Sequence, residues 1–227
     1  MKSKSGIVCI VLGAVLLLGA LLLSRLNLRE DQLAGQASMD TLPQLVQQIQ
    51  ERTGEESAES TDTQPQQPQE STGEDSTDPV DVPLQIPPEL LTEEDKKMTE
   101  AEIDGNLYIG YLSIPAVGIE LPVISTWSYP RLKIAPCRYA GSVLGEDLVI
   151  MAHNYAAHFK PISKLEIGDD VFFMDMDGNR IHYAVVGKDV LEATAVEEMT
   201  AGDFDLTLFS CTYDGSARIT IYCDRLT

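Results

Sequence analysis

A thiol, an imidazole and a guanidinium stand at the ends of three apolar runs in this chain. The run Leu206–Ser210 delivers Cys211, a turn-rich stretch over residues 212–217 follows, and Arg218 opens another β-type run seven residues after the cysteine. Two adjacent strands joined by so short a loop put the thiol and the guanidinium at facing ends. His153 closes a third apolar run, DLVIMAH. Together the three groups supply what acyl transfer to sulfur needs: a nucleophile, a proton shuttle and a fixed cation for the developing oxyanion.

Other residues of the same types read differently. Side chains alternate along a strand, so Thr207, Phe209 and Cys211 share one face and Leu206, Leu208 and Ser210 the other. Turn residues from Thr212 to Ser216 end that strand and leave Cys211 at its rim. Cys223 shares a face with Ile219 and Ile221, as a core residue does. Cys137, in the segment APCRYAG, has no role assignable from pattern, and a Cys137–Cys223 disulfide is one option. Cys9 lies in an N-terminal apolar run, and the other three are an odd number, so at least one thiol stays free unless pairing is intermolecular. No zinc-type spacing occurs. His182 sits inside a strand-like run, and His158 lies in a polar stretch where a capping or surface role is expected. Arg131, Arg138 and Arg225 read as surface ion-pair partners, and Arg180 flanks a hairpin turn.

Four blocks carry a family resemblance: IGYLSIPAVGIELPV (109–123), AGSVLGEDLVIMAHNYAAHF (140–159), KLEIGDDVFFMDMDGNRIHYAVV (164–186) and the closing TLFSCTYDGSAR. In this order they resemble the sortases, cysteine transpeptidases of the Gram-positive cell surface. The pattern before the sortase nucleophile is TLxTC, and here Ser210 replaces the threonine; Ala152 replaces the glycine that usually precedes the histidine. The resemblance covers roughly residues 100–227. It implies Cys211 as nucleophile forming an acyl-thioester, His153 as proton donor and acceptor, and Arg218 as stabiliser of oxyanion and substrate. It further implies cleavage of an LPxTG-like signal on surface proteins and transfer to an amine of a peptidoglycan precursor or another surface protein. Two other readings use the same residues: a cysteine peptidase that releases to water, and a catalytically silent binding barrel.

The remainder of the chain must position these groups and place them in a compartment. Short runs of Val, Ile, Leu, Tyr and Phe recur every 8–15 residues from Asn106 onward, and Asp177-Gly178-Asn179 between two of them is a hairpin signal. About eight such strands make a mainly β fold, and the resemblance implies the closed eight-stranded sortase-type barrel with short helices. No cofactor is expected; Asp169, Asp170, Glu192, Glu197 and Glu198 are read as solvated surface, with calcium binding as the alternative reading. The His153–Cys211 interval leaves no room for the long insertion of class B members. With no transmembrane run after Arg218 and no Asp-Pro-aromatic lid, this favours a class D/E-like or housekeeping-like member.

Gly6–Leu23 is an uncharged apolar run long enough to span a bilayer, and Lys2 and Lys4 before it place the N-terminus in the cytoplasm. It is read as a transmembrane signal anchor, since Ala34-Gly35-Gln36-Ala37 is a poor cleavage site. The formal net charge is −20, and residues 51–104 hold 17 acidic residues against three basic ones, which excludes nucleic acid as a partner. Residues 51–79 lack large apolar side chains and are expected to be disordered. Leu42, Leu45, Val46 and Ile49 recur at helical spacing near the membrane, and Glu89–Met98, with Thr92 as N-cap, suggests a second short helix. The expected organisation is a cytoplasmic segment (1–5), a membrane anchor (6–23), an acidic linker with short helices that gives the domain reach (24–98), and an extracellular catalytic domain (99–227).

Overall fold

The β-branched and aromatic runs form nine strands: β1 (Ala101–Ile103), β2 (Asn106–Ile114), β3 (Ile119–Ile124), β4 (Cys137–Ala140), β5 (Leu148–Ala152), β6 (Asp170–Asp175), β7 (Arg180–Glu192), β8 (Leu206–Cys211) and β9 (Ala217–Arg225). This is a computed structural model, and it describes residues 4–59, 97–212 and 214–226. Strands β2–β9 close into an eight-stranded barrel in the order β2-β3-β4-β5-β8-β9-β7-β6, with β6 pairing back onto β2. The short β1 pairs with the first residues of β2 outside that ring. Two neighbour pairs are parallel, β3–β4 and β5–β8, and the rest are antiparallel. The expected hairpin joins β6 to β7, and Gly178 takes the positive φ of 84° that its turn requires. Inward-facing Leu112, Ile150, Phe173, Leu208 and Ile221 fill the barrel, and Cys223 is buried with them.

One helix, α1 (Lys4–Glu59), changes the expected organisation. The stripe over residues 42–49 is helical, but it is part of an element that begins at Lys4, just ahead of the apolar run, and continues past it. Ala34, Ser38, Thr41, Leu45 and Ile49 recur every three or four residues, and all five are buried. They meet the barrel rather than a membrane: Leu45 and Ile49 form a second apolar cluster with Tyr108, Ile124, Leu132, Cys137 and Met176. Gly35 permits close approach, since a Cβ there would lie 2.9 Å from Ala157 Cβ. The stripe from Ala34 to Ile49 thus lies against the barrel, over an apolar patch that includes Tyr108 and Ile124. Glu51–Glu59, expected to be disordered, continue α1. Residues 60–96, which carry the rest of the acidic stretch and most of the second helix, lie outside the described residues; Lys97–Glu100 have no regular structure.

Leu45→Ala tests this packing. Removing a fully buried leucine costs about 2–5 kcal/mol, so the full-length chain in detergent melts at a clearly lower temperature, while exposed Gln50→Ala leaves the melting point in place. Equal melting temperatures for the two variants would show that α1 does not pack on the barrel.

Candidate active site

The parallel register β5–β8 pairs Ala152 with Ser210, so Cys211 closes β8 and His153 follows the last residue of β5 at the neighbouring strand end. On the other side of β8, Cys211 is the direct partner of Arg218 in the antiparallel register with β9. Histidine, cysteine and arginine thus stand side by side on three adjacent strands, whose spacing is about 4.8 Å. Alternation sets their face. Val149, Met151 and Phe209 lie outside the barrel core, in an outer cluster with Tyr139, Leu191 and Met199, and His153 and Cys211 continue the same parity. Ile219 packs against the core, which turns Arg218 outward beside Cys211.

The loop after Cys211 is held by its own hydrogen bonds. Thr212 N donates to Ala217 O at 2.9 Å, and Ala217 N donates to Thr212 Oγ1 at 3.1 Å. Asp214 accepts from the hydroxyls of Thr212 (2.6 Å) and Ser216 (2.8 Å), and these bonds hold its carboxyl down at about 2. Arg218 Nη1 donates to Ala217 O (3.1 Å) and Gly215 O (3.3 Å), so the guanidinium lies along this loop. Among the described residues no carboxylate pairs with Arg218, which leaves its charge available to a developing anion.

His153 is half-buried, and its Nε2 is a buried atom without a hydrogen-bond partner. Burial lowers its pKa, the nearby Lys133 ammonium lowers it further, and Glu30 acts in the opposite sense. Tyr155 packs against its ring at 4.8 Å and donates its hydroxyl to Glu30 Oε2 at 3.4 Å, while Glu30 also bridges Lys133 at 3.1 Å. None of this second layer was read from the sequence. Its signal was the recurrence every three or four residues of Ala34, Ser38, Thr41, Leu45 and Ile49, which small and polar residues disguise.

The remaining candidates separate by environment. Cys137 and Cys223 are free, fully buried and in different apolar clusters, so no disulfide joins them. Burial pushes the Cys137 thiol up to about 12 and the Cys223 thiol higher still, whereas Cys211 is only partly buried. The nucleophilic form of sulfur is the thiolate, which the two buried sites suppress. Cys137 opens β4. His158, expected at the surface, is fully buried, with Nε2 3.5 Å from Ser38 Oγ, because α1 covers it. His182 pairs with Asp170 at 2.7 Å and stacks on Phe172, as a strand side chain does. Arg225 bridges Glu146 at 3.8 Å, but Arg131 and Arg138 bond backbone carbonyls instead of acids, Thr126 O and Ser125 O respectively. Asp169 and Asp170 flank the start of β6, Glu192 ends β7, and Glu197 and Glu198 lie on the short helix Val196–Met199; among the described residues no metal-ligating cluster forms.

Comparisons with known proteins bear on this geometry. A family model described as "Sortase domain" matches residues 112–226, more than half of the chain. Sortase A of Bacillus anthracis is 31% identical over 140 residues, a match that covers 56% of this chain and 64% of that protein. The chain therefore spans slightly less than two thirds of that relative. The solved structure of Sortase A from Corynebacterium diphtheriae superposes with a TM-score of 0.50 at 19% identity, over 54% of this chain and 62% of that one, and shares the fold.

Burial of His158 makes stability depend on pH. Burial, reinforced by the neighbouring His153 charge, depresses its pKa from 6.5 to about 4. Between those values the unfolded chain binds a proton that the folded chain does not, so stability rises with pH across that window and is lost as pH falls through it. The full effect is at most about 3 kcal/mol, at 1.36 kcal/mol per unit. Thermal melts of the full-length chain from pH 7 to pH 4 should show this fall, and His158→Gln should flatten it. An equal slope in both proteins would contradict a buried neutral His158.

Proposed function

The chain belongs to the sortase family, and from that membership we propose that it is a membrane-anchored cysteine transpeptidase with Cys211, His153 and Arg218 as its catalytic residues. The observation that carries this reading is the flush ending of β5, β8 and β9, which groups the three side chains on one outer face. Gly6–Leu23 is the single-pass anchor, the N-terminus is cytoplasmic, and the barrel works outside the cell. From Ile10 to Leu23 the large apolar side chains of this run are exposed, as those of a lipid-embedded helix are.

The substrate is a surface protein that carries an LPxTG-like sorting signal near its C-terminus. The outer cluster of Val149, Met151, Phe209 and Met199 offers apolar contact to an extended peptide leading to Cys211. Burial keeps the His153 imidazole uncharged in the free enzyme, the form that accepts a proton. It takes the Cys211 proton as sulfur attacks the threonine carbonyl carbon, and a C–S bond forms. Arg218 stabilises the oxyanion. On collapse the C–N bond breaks, and His153, now imidazolium, protonates the leaving amine. An incoming amine from a peptidoglycan precursor or another surface protein then attacks the thioester, restoring the thiol and forming the new amide.

Turnover of a sorting-signal peptide with an amine donor tests the assignment. Arg218→Lys keeps the charge but loses the planar fork, and should lower kcat/KM by about 10²–10³, the scale of one lost oxyanion donor. His153→Ala should cost at least as much and remove the acid limb of the pH profile, which for the native chain lies below the ordinary imidazole value of 6.5. His158→Ala should keep the limb. A limb lost with His158→Ala and kept with His153→Ala would exchange the two histidines, and release to water despite excess amine would mark a peptidase.

A further inference from the structure

The exposed apolar segment and the docked segment belong to one helix, α1, whose interior Pro43 lies well past the neck between them. The first docking contacts follow the apolar run closely. Ser24 and Leu28 line a cleft with Asn154, Tyr155 and Lys160. Glu30 binds Lys133 and Tyr155, and Asp31 Oδ1 accepts from Ala157 N at 3.0 Å. All of these barrel residues except Lys133 belong to the segment that begins at His153. The far end of the docked segment lies elsewhere: Arg52 Nη2 donates to Glu100 O at 3.3 Å, and Thr53 sits against Gly178 of the β6–β7 hairpin.

The helix is therefore a ruler. Leu23 and Glu30 are seven residues apart, about 10 Å along the axis at 1.5 Å per residue, and any tilt shortens the height. Thr53 is 23 residues beyond Glu30, about 34 Å further. The chain leaves the barrel at the end of α1 and rejoins it at Lys97, beside the point where Arg52 meets Glu100. Residues between two neighbouring points on one body add no height, whatever path they follow. The neck also suits a lipid surface. Leu26 and Leu28 are exposed, and Arg25, Arg29 and Lys160 make no ion pair among the described residues. Basic side chains in that position reach lipid phosphates while their stems cover apolar surface.

We propose that α1 is a rigid strut that holds the barrel with its His153–Cys211 rim facing the bilayer. The rim then lies about 10 Å beyond the hydrocarbon, at the outer edge of the headgroup layer. This rests on residues 6–23 spanning the membrane. An extended chain covers 10 Å in about three residues, so a peptide enters the site from within a few residues of the headgroup layer.

The test uses the full-length chain in phosphatidylcholine–phosphatidylglycerol vesicles, with Cys9→Ala and Cys211→Ala to remove competing thiols. A fluorophore is placed at Ala156→Cys or at Asn179→Cys, both exposed. Headgroup nitroxide lipids should remove most of the emission at position 156 and little at position 179. A flexible Gly/Ser insert after Ser24 should abolish the contrast. Co-flotation with vesicles but equal quenching at the two positions, or stronger quenching at 179, overturns the orientation and leaves the anchor standing. Failure to co-float overturns the anchor and the proposal with it.

Discussion

The register of β8 is the constraint on which the rest of the site depends. β8 is parallel to β5 and antiparallel to β9, so two independent ladders fix how far it extends beyond each neighbour. A slip of one residue in either ladder would send Cys211 to the barrel interior, among Leu206, Leu208 and Ile221, because a one-residue shift inverts every side chain. The inner face resists that slip through the burial of these residues. The loop between β8 and β9 resists it through the closed bonds of Thr212 with Ala217 and Asp214. A single arrangement thereby excludes Cys211 from the core and aligns it with an arginine on one side and a histidine on the other. Cys223, twelve residues later, shows what the opposite parity does to a thiol: it is fully buried, and its ionisation is suppressed.

Helix α1 is the second constraint, and it acts on the histidine. The segment from His153 to Lys160 has little regular structure of its own. It is fastened from outside by Glu30 and Asp31 and from beneath by Ser38. The same contacts bury His158 and place an acid and an ammonium, Glu30 and Lys133, within electrostatic reach of His153. One helix thus closes an apolar gap in the barrel, orders the loop that carries the imidazole and carries the apolar run. In the proposed membrane setting, the catalytic rim and the bilayer are coupled mechanically through it.

Much of the barrel was legible because strand patterns are local. Alternation grouped Phe209 with Cys211 along β8 and Ile219, Ile221 and Cys223 along β9; the structure puts Phe209 in the outer cluster and the β9 group at the barrel core. Asp177-Gly178-Asn179 marked its hairpin for an equally local reason, the need for positive φ. What pattern alone did not give was the partner of an amphipathic stripe. The stripe over residues 42–49 fits a membrane surface as well as it fits a barrel, since both are apolar, and the acidic stretch that follows suggested separation. The choice was made by long-range contacts such as Leu45 with Tyr108 and Ile124, which no local spacing encodes. His158 was misjudged for the same reason: its neighbours in sequence are polar, but the surface over it comes from a segment 120 residues earlier.

The central claim is that Cys211, alone among the thiols, carries the acyl group. Intact-mass and peptide-level mass spectrometry of the full-length chain, quenched after mixing with excess sorting-signal peptide and no added amine, tests it directly. The account predicts a hydroxylamine-labile acyl adduct on the peptide that contains Cys211 and none on those containing Cys137 or Cys223. An adduct on either buried cysteine, or peptide cleavage that persists in Cys211→Ala, would contradict it.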